Sequence, residues 1–364
     1  MATHLSTCLC IPIPTLIDIS MNKGIARIRI PQFDEQADKL MEAVRSGYLA
    51  RGPHLEQLSE ELGRFVKKKY VVLTTNGFSA LFATLKSVCV GSERVITAPA
   101  STCFAIVNAI KAAGCVPNFL DMDMASASIA AIENPLDAGC IAVVPDHFGI
   151  VAPICGGMGL RPKILIEDAA QAFLSLCGME TKADVIVLSL YPTKVLNGID
   201  GGAVLTDDYE IYQRVQKVVS YVDQFEDEEP TRYNLGMNNI NAAFALGTIS
   251  NLDYLRRVLL QLHGRFTDVL KRRDIRTLTI GKTDVPTRFI VVADDEKQRN
   301  TMMTSFNQAG IPANCELMPV CPPDRVDLFP MMRRLVSTTL SIPFYASMSE
   351  RDIDKIEKTI VECL

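Results

Sequence analysis

The 364-residue chain has no tryptophan and only four histidines, His4, His54, His147 and His263, all far apart in sequence. No Cys-x-x-Cys pair occurs among its eleven cysteines, and their number is odd. These absences argue against a zinc framework and a secreted disulfide scaffold; the thiols read as the reduced side chains of a cytosolic protein. Positive charge is short as well. Lys and Arg total 37 against 42 Asp and Glu, a net charge of −5, and no basic run resembles a nucleic-acid tail. The cluster Lys67-Lys68-Lys69 closes an amphipathic pattern and reads as a solvated helix end. No later stretch carries the ~20 uninterrupted apolar residues of a membrane span. The chain is apolar from His4 to Ser20, yet no Lys or Arg precedes Lys23, and Pro12 and Pro14 interrupt the run. A secretory signal needs a positive start and a small-residue cleavage site, so residues 1–20 are set aside as an extension of unknown role.

What remains has an ordinary globular balance, with 48% hydrophobic and 22% charged residues, which excludes a disordered or collagen-like chain. At ~150 residues per domain the length predicts two domains. Asp34 is placed to cap a helix whose Ala37, Leu40, Met41 and Val44 share a face and which ends at Ser46-Gly47. Leu55, Leu58, Leu62, Phe65 and Val66 predict a second helix. Seven short β-rich apolar runs then alternate with helical stretches, at 71–75, 95–98, 116–120, 141–145, 164–167, 185–190 and 203–206. Continuous apolar strands separated by helices predict an α/β fold with a mainly parallel seven-stranded sheet covered on both faces. The acidic stretch 223–229 before Pro230 predicts an exposed loop, and 238–270 a single long helix packed through Ala242, Ala243, Ala245, Leu246 and Ile249. Strand runs at 288–292 and 338–342, then a helix opened by a capping box from Ser349 with Ile353, Ile356 and Ile360 inward, predict a small α+β domain. The predicted division is an extension over 1–20, a large domain over 21–255 and a small one over 256–364.

In such sheets ligands bind beyond the carboxyl ends of the strands. Three segments there could carry chemistry. The apolar run 164–167 delivers Asp168, with Gln171 one helical turn later. Asp168 is either a cap of the next helix or a buried acid that needs a cationic partner. The run 185–190 leads through Ser189 to Lys194, either a solvated loop lysine or a desolvated amine that attacks carbonyls. Gly77, after Asn76, opens a helix N-terminus suited to phosphate, without the Gly-x-x-x-x-Gly-Lys spacing of a P-loop. A carboxylate, a carbonyl-reactive lysine and a phosphate cradle together describe a pyridoxal 5′-phosphate (PLP) site.

With those residues quoted, the sequence resembles the DegT/DnrJ/StrS family of PLP-dependent sugar aminotransferases, from about Ile30 to the C-terminus. The likeness runs through Ser46-Gly47-Tyr48, Gly52-Pro53, Asn76-Gly77 and Glu167-Asp-Ala-Ala-Gln-Ala172. It continues in Ser189-Leu-Tyr-Pro-Thr-Lys194, Asp200-Gly-Gly-Ala-Val204, the segment 234–243, and Leu340-Ser-Ile-Pro343. Asp168 and Lys194 stand 26 residues apart, and the pair in order within this frame is specific. The resemblance implies fold type I and makes Lys194 the Schiff-base lysine. It also sets Asp168 against the pyridine nitrogen, Gln171 near the ring hydroxyl, and Ser189 and Gly77 at the phosphate. Asn234 would reach the phosphate of a neighbouring subunit, implying a homodimer with shared sites, and no nucleic acid, membrane or metal is expected.

The family pattern is departed from at four places. Phe78 stands where a small hydroxyl residue is usual, and Cys103 where an aromatic stacks on the cofactor, with Phe104 beside it. Gly236 replaces an arginine, and 313–324 has no basic residue to grip a nucleotide diphosphate. The implied activity is transfer of an amino group from glutamate or glutamine to a keto-sugar or similar polyhydroxylated ketone. The competing readings are a PLP enzyme of a natural-product pathway that forms carbon–carbon bonds or catalyses elimination, and a non-catalytic regulatory relative. A regulatory relic has no need of Lys194, Asp168 and Gln171 together. His147, at a strand end near the expected pocket, is either structural or part of the site.

Overall fold

In a computed structural model, residues 24–30, 32–89, 94–128, 140–153, 161–220 and 231–363 are described. The N-terminal extension 1–20 and the acidic loop 223–230 lie outside them. Strands β1 (Tyr70–Thr74), β2 (Val95–Pro99), β3 (Val116–Leu120), β4 (Ile141–Pro145), β5 (Ile164–Asp168), β6 (Val185–Ser189) and β7 (Gly202–Thr206) form one sheet. Its order is β1-β7-β6-β5-β4-β2-β3. Only β7 runs antiparallel to its neighbours, as the mainly parallel expectation requires.

Strand residues alternate between two cores, because successive side chains point to opposite faces. Leu165, Ala142, Val144, Ile186, Leu188, Ala203 and Leu205 enter one core, with side chains from α2 (Pro53–Val66), α7 (Asn239–Ile249) and α8 (Leu252–Lys271). Ile166, Ile141, Val143, Val185, Val187 and Val204 enter the other, with α3 (Gly77–Val88), α4 (Phe104–Ala112) and α6 (Tyr209–Val219). A sheet buried on both faces needs continuous apolar strands, which is what the sequence carries. Helix α5 (Phe173–Leu176) is one turn after β5.

A second, antiparallel sheet, β10-β9-β8, is built from β8 (Arg276–Thr277), β9 (Phe289–Val292) and β10 (Thr339–Ile342). Helices α9 (Glu296–Gln308), α10 (Pro330–Thr338) and α11 (Glu350–Cys363) accompany it. Ser349 Oγ accepts from the Asp352 N–H at 3.2 Å, the predicted cap, and Ile353, Ile356 and Ile360 are buried. Phe289, Phe266 and Phe344 meet in one aromatic cluster that joins this sheet to α8.

Three local expectations are corrected. Helix α1 (Asp34–Ser46) is capped at Phe33, whose N–H is taken by Gln36 Oε1 at 3.0 Å, so Asp34 is the first helical residue. Its buried face carries Gln36 and Ala43, whereas Met41 and Val44 are 44% and 46% exposed in the single chain. The long helix is two helices, α7 and α8, broken at Ser250 and Asn251. Lys68 is no solvated helix end: its side chain is 7% exposed, and Nζ donates to Ala183 O at 2.9 Å and Asp207 Oδ2 at 3.0 Å.

Among the described residues no helix is long and apolar enough to cross a membrane, and no group of three or more His, Cys, Asp or Glu could hold a metal ion. Seven cysteines among them form no disulfide.

Candidate active site

The carboxyl ends of β1, β5 and β6 and the start of β7 meet at one edge of the large sheet. Ladder register fixes the neighbours there: Thr74 faces Gly202, Gly202 faces Ser189, and Asp168 faces Val187. Helix α3 begins at the same edge. Asn76 caps it, accepting from the Ser79 N–H at 2.8 Å, and Thr75 and Ser79 hydroxyls lie 2.8 Å apart. A Cβ on Gly77 would stand 2.8 Å from Ser189 Cβ and 3.1 Å from Ser189 Oγ. A Cβ on Gly202 would come within 2.4 Å of Asn76 O. Both positions admit only glycine because helix start and strand end touch. Among the described residues nothing accepts from the Gly77 and Phe78 N–H groups, so they and Ser189 Oγ form a cradle for an anion. Phe78 adds no hydroxyl; its ring lies parallel to Phe82 at 6.3 Å.

Asp168 is buried at the end of β5, with Oδ1 accepting from the Ala170 N–H at 3.1 Å and its carbonyl from the Asp146 N–H at 3.0 Å. Burial pushes its carboxyl above the usual range, against the Ala170 N–H and the nearby Lys194 charge. Lys194 is half-buried in the turn after β6, its N–H donating to Tyr191 O at 2.8 Å. Burial first, then the Arg288 charge, hold its amine below the ordinary lysine range, while Asp168, Cys103 and Glu316 oppose them. The two residues singled out in sequence are thus within electrostatic reach of each other. Gln171 lines the same pocket as Ser189, Lys194 and Arg288. Its Oε1 accepts from the Phe148 N–H at 3.0 Å.

Cys103 is exposed at the N-cap of α4, where no side-chain capping bond forms, and Phe104 beside it is exposed too. Asn234 is exposed and makes no described hydrogen bond in its own chain, although the adjacent Leu235 carbonyl accepts from the Thr75 N–H at 2.7 Å. The structure therefore does not tie Asn234 to the site of its own subunit. His147 is buried, with Nε2 lacking any partner among the described residues; burial drives its pKa down to about 4, so the ring is neutral at pH 7. The anion cradle, the low-pKa amine and this orphaned ring nitrogen near Lys194 fit pyridoxal phosphate.

Sequence reading missed the roles of five side chains here. Arg288 lines the pocket from the second sheet, and Glu316 and Arg27 stand behind it. An arginine opening a buried apolar strand was the available signal. Asp146 and Glu167 are both buried and within electrostatic reach of each other, with Glu167 accepting from Thr181 Oγ1 at 2.5 Å and Asp146 Oδ1 from the Ala152 N–H at 2.8 Å. Burial raises both carboxyls, and the charges of Glu167 and Asp168 raise Asp146 further, so folding favours a proton on the pair. That proton leaves the unfolded chain above the ordinary carboxylate range. Its contribution to stability is complete at acid pH and is lost as pH climbs through the raised folded-state value, about 1.4 kcal/mol per pH unit for one proton. Asp146→Asn, whose amide can donate to Glu167, removes this slope. The difference in melting temperature between variant and wild type is expected to move in the variant's favour from about pH 5 to about pH 8; melting curves that shift in parallel would contradict the shared proton.

The chain matches the DegT/DnrJ/EryC1/StrS aminotransferase family over residues 32–361. It is 26% identical to the spore coat polysaccharide biosynthesis protein SpsC of Bacillus subtilis (strain 168), covering 90% of this chain and 93% of that one. It is 26% identical to a dTDP-4-amino-4,6-dideoxy-D-glucose transaminase of Shigella dysenteriae, covering 85% and 90%. Among solved structures, NtdA from Bacillus subtilis with bound cofactor PMP has the same fold, with a TM-score of 0.78 at 20% identity over 91% of this chain and 81% of that one.

Proposed function

Because the chain belongs to the DegT/DnrJ/EryC1/StrS aminotransferase family, we propose that this PLP-dependent enzyme moves an amino group from glutamate or glutamine to a keto-sugar or similar polyhydroxylated ketone. The observation that carries the reading is the convergence of Lys194, Asp168 and the α3 cradle on one sheet edge. The sugar-like acceptor is supported by the amino-sugar transaminase relative. No Lys or Arg occurs in 313–324 to grip a nucleotide diphosphate. In this reading residues 21–255 hold the cofactor, 256–364 form the small domain, and the enzyme works as a cytoplasmic homodimer in which Asn234 serves the partner's site.

Pyridoxal phosphate supplies an aldehyde for the amino group and a ring that accepts electrons. Everything else is the work of side chains. Ser189 Oγ and the Gly77 and Phe78 N–H groups would hold the phosphate, and Asp168 would supply a negative charge for the pyridine nitrogen. Gln171 would serve the ring hydroxyl, and Cys103 with Phe104 would cover the ring face. The Lys194 amine would anchor the cofactor, and when free its lowered pKa suits it to take the proton from the donor's α-carbon.

The test is a spectrophotometric screen of amino donors against the holoenzyme. One amino acid, glutamate or glutamine, should replace the pyridoxal absorbance with that of the pyridoxamine form, reversibly on adding its keto acid. A pyridoxal band that no amino donor converts would overturn the reading.

A further inference from the structure

Of the seven cysteines whose side chains are described, Cys103 alone is exposed. It stands at the N-cap of α4, and its side chain makes no capping bond. The backbone leading to it is pinned on two sides. The Ala100 N–H donates to Leu120 O at 2.9 Å, the Val320 N–H donates to Ala100 O at 2.9 Å, and Ser101 Oγ donates to Met318 O at 2.7 Å. Cys103 is thus delivered to a fixed place at the sheet edge, within electrostatic reach of the Lys194 amine.

Two polar side chains around this thiol are left unpaired. Thr102 Oγ1, one residue earlier, and His147 Nε2, on a ring that also feels the Lys194 charge, have no hydrogen-bond partner among the described residues. Thr102 is 6% exposed and His147 5%. The Phe104 and Ala105 N–H groups that open α4 likewise find no acceptor among the described residues. Buried polar groups are costly to leave unpaired, so these atoms mark a place that a polar ligand fills. The thiol therefore stands on the wall of a ligand site, and pyridoxal phosphate carried on Lys194 would be that ligand. A thiol on such a wall can do what a hydrocarbon or aromatic side chain cannot: it exchanges with disulfides. Cys103 Sγ attacks one sulfur of a small disulfide and the reagent's S–S bond breaks. A mixed disulfide forms on Cys103, the displaced half leaves as a thiolate, and the Cys103 proton passes to water. No further oxidant is consumed, and a small thiol reverses the step.

We propose that Cys103 is a reversible S-thiolation site whose occupation excludes the cofactor, so that a small disulfide and pyridoxal phosphate compete for one place. Space decides the exclusion. The added group is bonded to a sulfur beside Lys194 and fills volume that the cofactor ring needs. The seated cofactor covers that sulfur in turn and blocks the approach that exchange requires. Loading of the enzyme is thereby tied to the thiol–disulfide balance around it: reducing conditions leave the site open, and oxidising conditions close it until a thiol returns.

The inference rests on the placing of the cofactor at Lys194 proposed above, and it is tested by labelling apart from turnover. The probe is dithionitrobenzoate, a small disulfide with no amine to consume pyridoxal. Peptide mapping of the treated apoenzyme should find the mixed disulfide at Cys103. Pyridoxal phosphate at about 100 times its dissociation constant should slow that labelling by the same factor, because free sites become that much scarcer. Labelled protein, freed of excess reagent, should take up no pyridoxal absorbance until dithiothreitol removes the label. Cys103→Ser should bind the cofactor alike before and after treatment; Cys103→Ala serves if the serine variant does not fold. No label at Cys103, one labelling rate with and without cofactor, or cofactor uptake by Cys103-labelled protein would each overturn the proposal. So would a Cys103→Ser protein that loses cofactor uptake on treatment as wild type does. Borohydride mapping of the untreated holoenzyme separates the two readings: a label on Lys194 without competition at Cys103 leaves the placing intact and removes the exclusion alone.

Discussion

Lys194→Ala is expected to lower turnover by ~10³-fold or more, within the range that a positioned acid–base group supplies, while the protein stays folded. The side chain is half-buried in a turn whose backbone bond, from the Lys194 N–H to Tyr191 O at 2.8 Å, survives the substitution. What is lost is chemistry. Burial and the Arg288 charge lower the amine's pKa, so more of it is neutral near pH 7 than for a solvated lysine. A neutral amine can attack a carbonyl and can receive the α-proton; alanine can do neither. Steady-state rates with the donor found in the screen, together with the melting temperature, check this. Turnover within tenfold of wild type in a folded variant would remove Lys194 from the reaction.

Asp168→Asn is the second large effect. The substitution keeps the size and can retain the acceptor for the Ala170 N–H, now 3.1 Å from Oδ1. It removes the negative charge. An adjacent carboxylate favours the protonated pyridine by charge pairing, and without it the ring withdraws electrons less well. Burial raises the Asp168 pKa in the chain alone, and a cationic ring nitrogen would reverse that trend by favouring the ionised acid. We expect turnover to fall ~10²-fold or more, about 2.7 kcal/mol of transition-state stabilisation, with the cofactor absorbance kept. Equal turnover would leave Asp168 only the structural role of accepting from the Ala170 N–H.

Much of this architecture was legible in the residues. The strands stood out because a sheet covered on both faces needs unbroken apolar runs, and Asp168, Ser189 and Gly77 could be placed because each sits where such a run ends. Other features had no local signature. The break between α7 and α8 carries Ser250-Asn251, with neither glycine nor proline to mark it, and apolar residues continue on both sides at Ile249 and Leu252. The cap of α1 is a side chain reaching back from Gln36, a residue whose pattern is also that of an ordinary surface position. Arg27 and Glu316 are 289 residues apart, and only the assembled fold brings them behind Arg288. The Asp146–Glu167 pair likewise depends on β4 lying beside β5 in a register that pairs Val144 with Glu167 and Pro145 with Asp168.

All of the chemistry proposed here depends on one covalent attachment. Borohydride reduction of the purified holoenzyme makes a lysine–pyridoxal linkage permanent, and peptide mapping then locates it. The expected result is a single phosphopyridoxyl label on Lys194, in the segment Ser189-Leu-Tyr-Pro-Thr-Lys194 that leaves β6. A label on any other lysine, or none in a protein with the cofactor bound, would contradict the account.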